Sequence, residues 1–501
     1  MAEHISAKQL ADSAVAEYNI IEEKIKNAPL TNKDRMSIPL QVMPTGEPKV
    51  RARQMGEVAL GYTREQAVIE ANRCLQCKNK PCVNGCPVNV QIPEFIAEVA
   101  KGEFKKAVDI IKQTNLLPAI CGRVCPQEKQ CQSQCTLGKA NKDVEKAVCI
   151  GRLERFVADW ERDNNQVTVP SVAAPTGKKV AVIGSGPAGL TVAADCRRAG
   201  HEVTVFEAFH KAGGVMVYGI PEFRLPKDIV AKEVENLKAM GVKFEMNTLV
   251  GRTASVEQIL SEKGFDAAFV GTGAGLPKFF NIPGENYIGV FSANEYLTRA
   301  NLMKAYEKGV ADTPFYEAKT VVVCGGGNVA MDAARMALRL GAEKVYVVYR
   351  RTRTEMPARR EEVDHAEEEG VEFRFLENPV EILGSAEDGK VTGIRALSYE
   401  LGEPDASGRR RPVEIKGSEH DIPCDAVIVA LGNNSNPLIP RTTPDIHTDA
   451  KGHITVDTAQ ATSMPRVWAG GDIVLGAATV ILAMGEGRKA AASINAYLSK
   501  Q

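Results

Sequence analysis

The chain of 501 residues is too long for one hydrophobic core and predicts two or three domains. A formal net charge of −1 offers no electrostatic footprint for nucleic acid or an anionic membrane, and no run of about 18 apolar residues suggests a membrane span. Because the charged N-terminal segment lacks the apolar core of a secretory signal, we expect a cytoplasmic protein that binds neither nucleic acid nor a membrane.

Residues 1–165 are predicted to form an α-helical domain. Four segments in it have apolar residues at helical spacing: 5–26, 64–76, 91–116 and 145–163. The segment 27–62 contains four prolines and is expected to be irregular. The polar, proline-containing stretch 164–178 is typical of a linker to a second domain.

Eight of the twelve cysteines form two groups inside this helical domain. The groups read Cys74-x2-Cys77-x4-Cys82-x3-Cys86-Pro87 and Cys121-x3-Cys125-Pro126-x5-Cys131-x3-Cys135. Short spacings with a cysteine before a proline are typical of the thiolate ligands of [4Fe–4S] clusters. Zinc is the alternative, since four-cysteine zinc sites also begin with C-x2-C, but neither group has the paired C-x2-C of a zinc ribbon.

Spacing divides these cysteines between two clusters only in part. In two-cluster ferredoxins the cysteine before the proline ligates the other cluster. Applied here, this rule gives the first three cysteines to one cluster, with a fourth from the second group, and gives Cys86 to the other cluster. Five further thiolates compete for at most four remaining places, and spacing leaves open which are not ligands: Cys121, Cys125, Cys131, Cys135 and Cys149.

From Lys179 onwards, short β-branched strands alternate with helices, which predicts an α/β fold with parallel sheets. The first strand leads into Gly184-x-Gly186-x-x-Gly189 and a helix, and the next strand ends at Glu207. Such glycines allow a pyrophosphate to approach the helix N-terminus, and an acid at that strand end can bind a ribose 2′-OH. The unit is predicted to bind a dinucleotide; a glycine turn kept for packing is the alternative.

A second unit of the same order contains Gly325-x-Gly327-x-x-Ala330, and its second strand ends at Arg350 and Arg351. A carboxylate at this strand end would repel a 2′-phosphate, whereas two guanidinium groups can bind it. The second unit is therefore predicted to prefer NADPH over NADH. A solvated basic strand end is the alternative.

Two later segments complete the pattern. The turn Gly471-Asp472 lies between a strand and a long helix, where an acidic side chain can hold the ribityl or phosphate part of a flavin. Residues 402–420 are expected to form an exposed hairpin or loop, for which the sequence indicates no function.

These motifs together resemble one known family. The matching stretches are RCLQC-x4-C-x3-CPV, CGRVCPQ-x4-C-x3-C, VIGSGPAGL, GIPEFRLPK, VVVCGGGNVAMD, RRTRTEMP and AGGD, which extend from residue 73 to residue 472. They resemble the small (β) subunit of NADPH-dependent glutamate synthase, the N-terminal half of dihydropyrimidine dehydrogenase and the large subunit of NADH-dependent ferredoxin:NADP oxidoreductase. The stretch GEPKVRARQMGEVALGYTREQAVIEA, before the cysteines, looks more like the last of these.

The resemblance implies an α/β protein in which an N-terminal α-helical domain with two [4Fe–4S] clusters precedes two Rossmann-like domains. The NADPH domain would be inserted into the FAD domain. The boundaries that we expect are 1–165 for the iron–sulfur domain, 178–310 with 440–501 for the FAD domain, and 311–439 for the NADPH domain. The implied cofactors are FAD, NADPH and the two clusters.

The family pattern also implies which residues ligate iron. One cluster would take Cys74, Cys77, Cys82 and Cys135. The other would take Cys86, Cys125 and Cys131 with a non-cysteine fourth ligand, which is glutamine in dihydropyrimidine dehydrogenase. The matching position here, within GRLERF, is Glu154, which would otherwise be an ordinary exposed helix residue. Cys121 and Cys149 would then not be ligands.

For the nucleotides, the resemblance implies two further sets of residues. The FAD set is Gly184, Gly186, Gly189, Glu207, Gly214, Asp472 and Thr479. The NADPH set is Gly325, Gly327, Asn328, Val329, Arg350 and Arg351. No dedicated general acid or base is required, so no catalytic residue is predicted.

The resemblance implies an oxidoreductase that exchanges a hydride between NADPH and FAD and relays single electrons through two clusters to or from a partner, the large subunit in glutamate synthase. The alternative is the NADPH-side large subunit of an electron-bifurcating NADH-dependent ferredoxin:NADP oxidoreductase, with a smaller flavin/[2Fe–2S] subunit and ferredoxin as partners. A third hypothesis is a scaffold subunit with empty or zinc-filled sites. A disulfide reductase is disfavoured because neither βαβ unit contains a redox C-x2-C.

Overall fold

The N-terminal third of the chain is helical in the computed structural model, which describes residues 4–307, 309–406 and 408–501. Its α-helices are α1 (Ala7–Asn27), α2 (Asn32–Ser37), α3 (Pro48–Arg51), α4 (Arg64–Asn72), α5 (Pro81–Asn84), α6 (Ile92–Ala100), α7 (Phe104–Lys112), α8 (Pro118–Val124), α9 (Thr136–Ala140) and α10 (Ile150–Asp163). The helix predicted over 5–26 is confirmed as α1. The single helix predicted over 91–116 is wrong: Gly102, at φ +78°, separates α6 from α7.

Two other N-terminal predictions can be compared with the structure. The segment 27–62, expected to be irregular, contains the short helices α2 and α3. The linker predicted over 164–178 has neither helix nor strand. Instead, its backbone hydrogen-bonds to the end of the first α/β helix, with the amide of Ala173 donating to the carbonyl of Arg198 at 3.0 Å.

The rest of the chain alternates strands and helices. The strands are β1 (Lys179–Ile183), β2 (Glu202–Phe206), β3 (Lys243–Glu245), β4 (Ala267–Val270), β5 (Leu276–Pro277), β6 (Val290–Ser292), β7 (Thr320–Cys324), β8 (Lys344–Tyr349), β9 (Glu372–Phe375), β10 (Glu377–Gly384), β11 (Val391–Pro404), β12 (Arg410–Glu414), β13 (His420–Pro423), β14 (Ala426–Val429), β15 (Asn433–Asn434) and β16 (Val467–Ala469). The helices are α11 (Pro187–Arg198), α12 (Val215–Tyr218), α13 (Lys227–Ala239), α14 (Val256–Ser261), α15 (Ala293–Asn301), α16 (Asn328–Arg339), α17 (Arg360–Glu368), α18 (Leu438–Thr442), α19 (Asp472–Leu475) and α20 (Val480–Leu498).

Two parallel five-stranded sheets organise this part of the chain. The first has the order β16-β4-β1-β2-β3 and the second the order β6-β14-β7-β8-β9. The central strands are apolar along their length because helices cover both faces of such sheets. The predicted architecture, a helical domain followed by two Rossmann-like units, is therefore confirmed.

The chain crosses from the first sheet to the second and later returns, and the two crossing segments lie next to each other. It leaves the first unit through β5 and returns through β15, and these two short strands pair antiparallel. The second unit is thus inserted into the first. It begins earlier than the boundary we expected at residue 310, because β6 pairs with β14 as an edge strand of the second sheet. The three residues of β6 are too few to form a recognisable sequence pattern.

The hairpin predicted over 402–420 belongs to an antiparallel extension of the second unit, formed by β10, β11, β12 and β13. Ser407, within this segment, lies outside the described residues. In the part of the chain that the structure describes, no helix is both long and apolar enough to cross a bilayer.

The helical domain and the first α/β unit share one continuous apolar core. It includes Ile96 and Leu153 of the helical domain, Val182 and Leu190 of the first unit, and Met484 of α20. A shared core of buried side chains ties the two domains together through the hydrophobic effect. The cysteine groups are therefore held in a defined position relative to the first nucleotide unit.

Candidate functional site

The structure brings Cys74, Cys77, Cys82 and Cys135 together at the surface end of the helical domain. All twelve cysteines of the chain are free thiols. Burial, together with the neighbouring Cys135 and Cys77, raises the pKa of Cys74 to about 11. Burial likewise raises the pKa of Cys82 to about 12, with added effects of Cys74, Cys135 and Cys77. These four thiols therefore lie within electrostatic reach of one another.

A second group consists of Cys86, Cys125 and Cys131 with Glu154 and Cys121. Burial, together with the Glu154 carboxylate and Cys125, raises the pKa of Cys86 to about 11. Burial, followed by Cys86, Cys125 and Glu154, raises the pKa of Cys131 well above its usual range. A hydrogen bond that the Cys125 thiol donates to Cys121, followed by burial and the charge of Glu154, likewise raises the pKa of Cys125 well above its usual range.

Both groups fit multi-iron clusters better than single ions. Several buried thiols that raise one another's pKa disfavour thiolates unless a bound metal compensates the charge. Among the described residues, no three His, Cys, Asp or Glu side chains converge closely enough for one metal ion. The spacing of the cysteines, with a proline after Cys86 and after Cys125, favours [4Fe–4S] clusters over a zinc ribbon.

The two cysteines that the family pattern leaves without iron differ in position. Cys149 lies outside both groups: burial raises its pKa to about 12, and its closest charged neighbours are Glu70 and Arg152. Cys121 lies inside the second group, and its Sγ is 3.7 Å from the Met484 sulfur of α20.

The second group faces the first nucleotide unit. A Cβ added at Gly485 of α20 would lie 3.1 Å from the carbonyl oxygen of Pro87, which follows Cys86. The side-chain amide of Gln130 donates to the hydroxyl of Thr479 at 3.4 Å. The N-terminal half of α20 is thus the contact through which this group meets the first α/β unit.

The first glycine-rich turn, at residues 184–189, is unobstructed on one side. Gly184 has φ +100°, which favours glycine, and a Cβ at Gly189 would lie 2.0 Å from the Gly184 carbonyl oxygen. A Cβ at Gly186 would meet no described heavy atom within 4 Å. Gly214, at the neighbouring turn, approaches Gly186 so closely that its own Cβ would lie 2.7 Å from the Gly186 Cα. The turn therefore offers the backbone cradle that a pyrophosphate needs.

Glu207 is buried beside this turn and braces it. Its carboxylate accepts hydrogen bonds from the amides of Ser185 at 3.0 Å and Phe209 at 2.9 Å, and also from the Ser185 hydroxyl. The Ser185 hydroxyl in turn accepts from the amide of Gly213 at 2.9 Å. The role of Ser185 was missed from the sequence, where the only signal was a small hydroxyl residue between two glycines.

Asp472 and Thr479 lie on the same side of the first unit. Burial raises the pKa of Asp472 to about 6, and the amide of Ala478 donates to it at 3.2 Å. Thr479 caps α20 by accepting from a backbone amide. Burial, followed by the charges of Asp472 and Glu207, raises the pKa of Tyr218 to about 12, so these two acids flank one site.

The second glycine-rich turn, between β7 and α16, is built in the same way. Gly325 has φ +147°, and a Cβ at Gly327 would meet no described heavy atom within 4 Å. The side-chain oxygen of Asn328 accepts from the amide of Arg359 at 2.9 Å, and Val329 is partly exposed. The turn is open on the face that a pyrophosphate would occupy.

The two arginines at the end of β8 differ in their surroundings. Arg350 is exposed. Arg351 is buried and donates to the backbone carbonyl of Arg410 and to the carboxylate of Asp405, both at 2.7 Å. An open cleft of about 730 Å³ is lined by Arg350, Arg351, Asp405 and Arg411. The hairpin to which the sequence assigned no function therefore forms one wall of the cleft at the end of β8.

Comparison with known proteins agrees with this arrangement. Residues 51–166 match the family described as dihydropyrimidine dehydrogenase domain II, 4Fe-4S cluster, and residues 178–487 match the family described as pyridine nucleotide-disulphide oxidoreductase. The chain is 40% identical over 465 residues to a glutamate synthase [NADPH] small chain of Escherichia coli (strain K12), covering 90% of this chain and 95% of that protein.

One further relative and one solved structure are also similar to this chain. The NADP(+)-dependent formate dehydrogenase subunit beta of Moorella thermoacetica is 39% identical over 479 residues, covering 90% of this chain and 65% of that protein. The structure of Mycobacterium tuberculosis FprA in complex with NADPH is similar with a TM-score of 0.54 at 20% identity, covering 64% of this chain and 85% of that chain. Because the sequence identity to FprA is 20%, this similarity concerns the fold alone.

Proposed function

This chain belongs to the family of glutamate synthase [NADPH] small chains and to the pyridine nucleotide-disulphide oxidoreductases, and we propose that it relays electrons between NADPH and a partner subunit. It is an oxidoreductase with FAD, NADPH and [4Fe–4S] clusters as cofactors. When bound, FAD exchanges a hydride with NADPH, and the clusters carry single electrons. The protein itself positions these groups and sets their surroundings.

The observation that carries this proposal is the contact between the second cysteine group and α20. Pro87 packs on Gly485, and Gln130 reaches Thr479, a residue of the expected FAD set. We propose that the second group holds the cluster nearer to the flavin, and that the group of Cys74 holds the farther one. The partial exposure of Cys77 supports an exit to a partner at the farther group.

For the iron ligands we propose two sets. The first is Cys74, Cys77, Cys82 and Cys135; the second is Cys86, Cys125, Cys131 and Glu154. The mutual effects on thiol pKa within each group support this division. Cys149 remains outside it because its neighbours are Glu70 and Arg152 rather than other thiols.

For the nucleotides we propose FAD at the turn of Gly184 to Gly189 and NADPH at the turn of Gly325 to Ala330. Arg224, of the first unit, forms two hydrogen bonds of 2.7 and 2.8 Å with Asp332 on α16, close behind the second turn. Arg359, of the second unit, donates to the Arg123 carbonyl of the helical domain at 3.1 Å. These buried contacts hold the second unit in one orientation relative to both other domains.

The final acceptor is set by the partner subunit in this proposal. One relative is a small chain of glutamate synthase and another is a subunit of a formate dehydrogenase, so similar chains serve different reactions. We propose a larger partner that makes glutamate as the first candidate. The second candidate, a flavin/[2Fe–2S] partner with ferredoxin, is favoured by the stretch 46–71, which resembles the ferredoxin:NADP oxidoreductase branch.

The test is anaerobic purification of the protein with its natural partners, followed by two assays. NADPH-driven glutamate formation from glutamine and 2-oxoglutarate would support the first candidate. NADH-dependent reduction of NADP coupled to ferredoxin would support the second. A colourless protein without iron or flavin after anaerobic purification would overturn the proposal and leave the scaffold hypothesis.

A further inference from the structure

Asn115 is fully buried in the turn between α7 and α8, next to the second cysteine group. Its side-chain amide donates a 2.6 Å hydrogen bond to Oε1 of Glu154. Its side-chain oxygen accepts from the amide of Leu117 at 3.0 Å and lies 3.6 Å from the sulfur of Cys121. One side chain therefore connects the loop, a thiol of the second group and the carboxylate.

The orientation of the Asn115 amide follows from its partners. The backbone amide of Leu117 is a donor and requires an acceptor, so the carbonyl end of Asn115 must face it. The NH₂ end must then face Glu154, whose carboxylate accepts. The backbone amide of Asn115 also donates to the carbonyl of Ile111 at 2.9 Å, which fixes the residue at the end of α7. Asn115 thus has one available conformation.

We propose that Asn115 is the positioning residue for the Glu154 carboxylate, holding Oε1 so that Oε2 is presented to the iron of the second cluster. Among the residues that the structure describes, Asn115 is the single hydrogen-bond partner of the Glu154 side chain. The inference rests on the proposed function, since it assumes that Glu154 ligates iron. Asn115 itself touches no iron in this arrangement.

A carboxylate ligand needs a positioning hydrogen bond more than a thiolate ligand does. A glutamate side chain has three rotatable bonds and two equivalent oxygens, so without a restraint it can bind iron through either oxygen or turn away. A charge-assisted hydrogen bond to one oxygen removes this choice. Partners outside the ligand shell commonly orient ligands in this way and tune the metal. Cys121, which is not an expected ligand, assists by occupying the acceptor side of Asn115.

The test is the variant Asn115→Asp in the complete protein, purified anaerobically. Aspartate keeps the acceptor that holds the Leu117 amide, but it replaces the donor that faces Glu154 with a carboxylate oxygen that repels it. We expect an altered EPR signal and a shifted midpoint potential for one cluster, while the other cluster keeps both. Unchanged signals and potentials for both clusters would overturn the proposal. The exposed Asn141→Asp, in the same domain, is the matched control and should change neither.

A second background separates this inference from the proposed function. In Glu154→Cys, a thiolate supplies the fourth ligand and needs no amide donor, so adding Asn115→Asp should leave the iron content and the EPR line shape of that cluster unchanged and shift its potential only by the effect of the added charge. A further change of the same size in that background, or failure of both variants to fold, would make Asn115 merely structural and overturn the inference. If Glu154→Ala leaves iron content and EPR unchanged, the ligand role of Glu154 fails first, and the positioning role fails with it.

Discussion

Arg351 and Asp405 form a 2.7 Å ion pair that joins the end of β8 to the β11–β12 hairpin. Arg351 also donates to the carbonyl of Arg410, so two of its nitrogens are engaged by the hairpin. Its neighbour Arg350 is exposed in the same cleft. The two arginines, which the sequence presents as an equivalent pair, therefore have different roles: one anchors the wall of the cleft and the other faces its opening.

Arg350→Ala should weaken the binding of NADPH and leave that of NADH almost unchanged. An exposed guanidinium at this strand end is available for a charge-assisted hydrogen bond to the 2′-phosphate, worth about 1.5–3 kcal/mol, or about 10- to 100-fold in affinity. Calorimetric titration with 2′,5′-ADP and with 5′-AMP measures the difference directly. An equal loss for both nucleotides would contradict a role in recognising the 2′-phosphate.

Asp405→Asn should strengthen the binding of NADPH. Asparagine can still accept the hydrogen bond from Arg351, but the variant removes a negative charge close to the expected position of the 2′-phosphate. The gain should be about 3- to 10-fold for 2′,5′-ADP, with little change for 5′-AMP. Asp421→Asn is the matched control, because Asp421 is exposed on β13 and pairs with Arg395 instead. A gain of the same size in the control would indicate a general charge effect.

Cys125→Ser and Cys149→Ser should have opposite consequences for iron content. Cys125 lies among the thiols of the second group, whereas Cys149 packs near Glu70 and Arg152. Anaerobic preparations of Cys125→Ser should fall from about eight towards about four iron atoms per chain, because one [4Fe–4S] cluster is lost. Cys149→Ser should keep both clusters. Loss of iron from Cys149→Ser with a normal fold by circular dichroism would show that the ligand sets are assigned wrongly.

The strands and helices of the fold were predictable because each follows from a local pattern of apolar residues. Apolar β-branched runs next to glycine turns predict β1 and β7 correctly, since each strand is buried along its length. The insertion point was not predictable to within twenty residues. It depends on β5, β6 and β15, which have two or three residues each and gain stability only from pairing with distant strands.

Within the candidate site, the cysteine groups and the glycine turns were predictable because their residues stand at fixed, characteristic spacings. The residues that support those motifs were not. Asn115 lies 39 positions before Glu154, and Asp405 lies 54 positions after Arg351, so only the folded chain brings each pair together. Such supporting contacts have no pattern in the sequence, because a single hydrogen bond can be supplied by many residue types from many places.

The last prediction concerns the buried ion pairs between α16 and the end of α17. Glu369 is buried, which by itself raises the pKa of its carboxyl, but Arg335 and Arg339 lower that pKa to about 2. A carboxyl whose pKa in the folded state is below its ordinary 4.5 stabilises the fold above pH 4.5. That contribution is lost as the pH falls from about 4.5 towards about 2.

Glu369→Gln should therefore lower the free energy of unfolding near neutral pH, by about 3–5 kcal/mol. It removes the buried carboxylate that Arg51, Arg335 and Arg339 share, and although Arg51 keeps Glu368 and Arg335 keeps Glu362, Arg339 loses its charged partner. The gap between the native protein and the variant should shrink as the pH is lowered through this window. Thermal unfolding followed by far-ultraviolet circular dichroism at several pH values measures it. Glu372→Gln, at an exposed position at the start of β9, is the control and should match the native protein throughout. A gap between native protein and Glu369→Gln that stays constant with pH would mean that the Glu369 charge contributes nothing to the stability of this cluster.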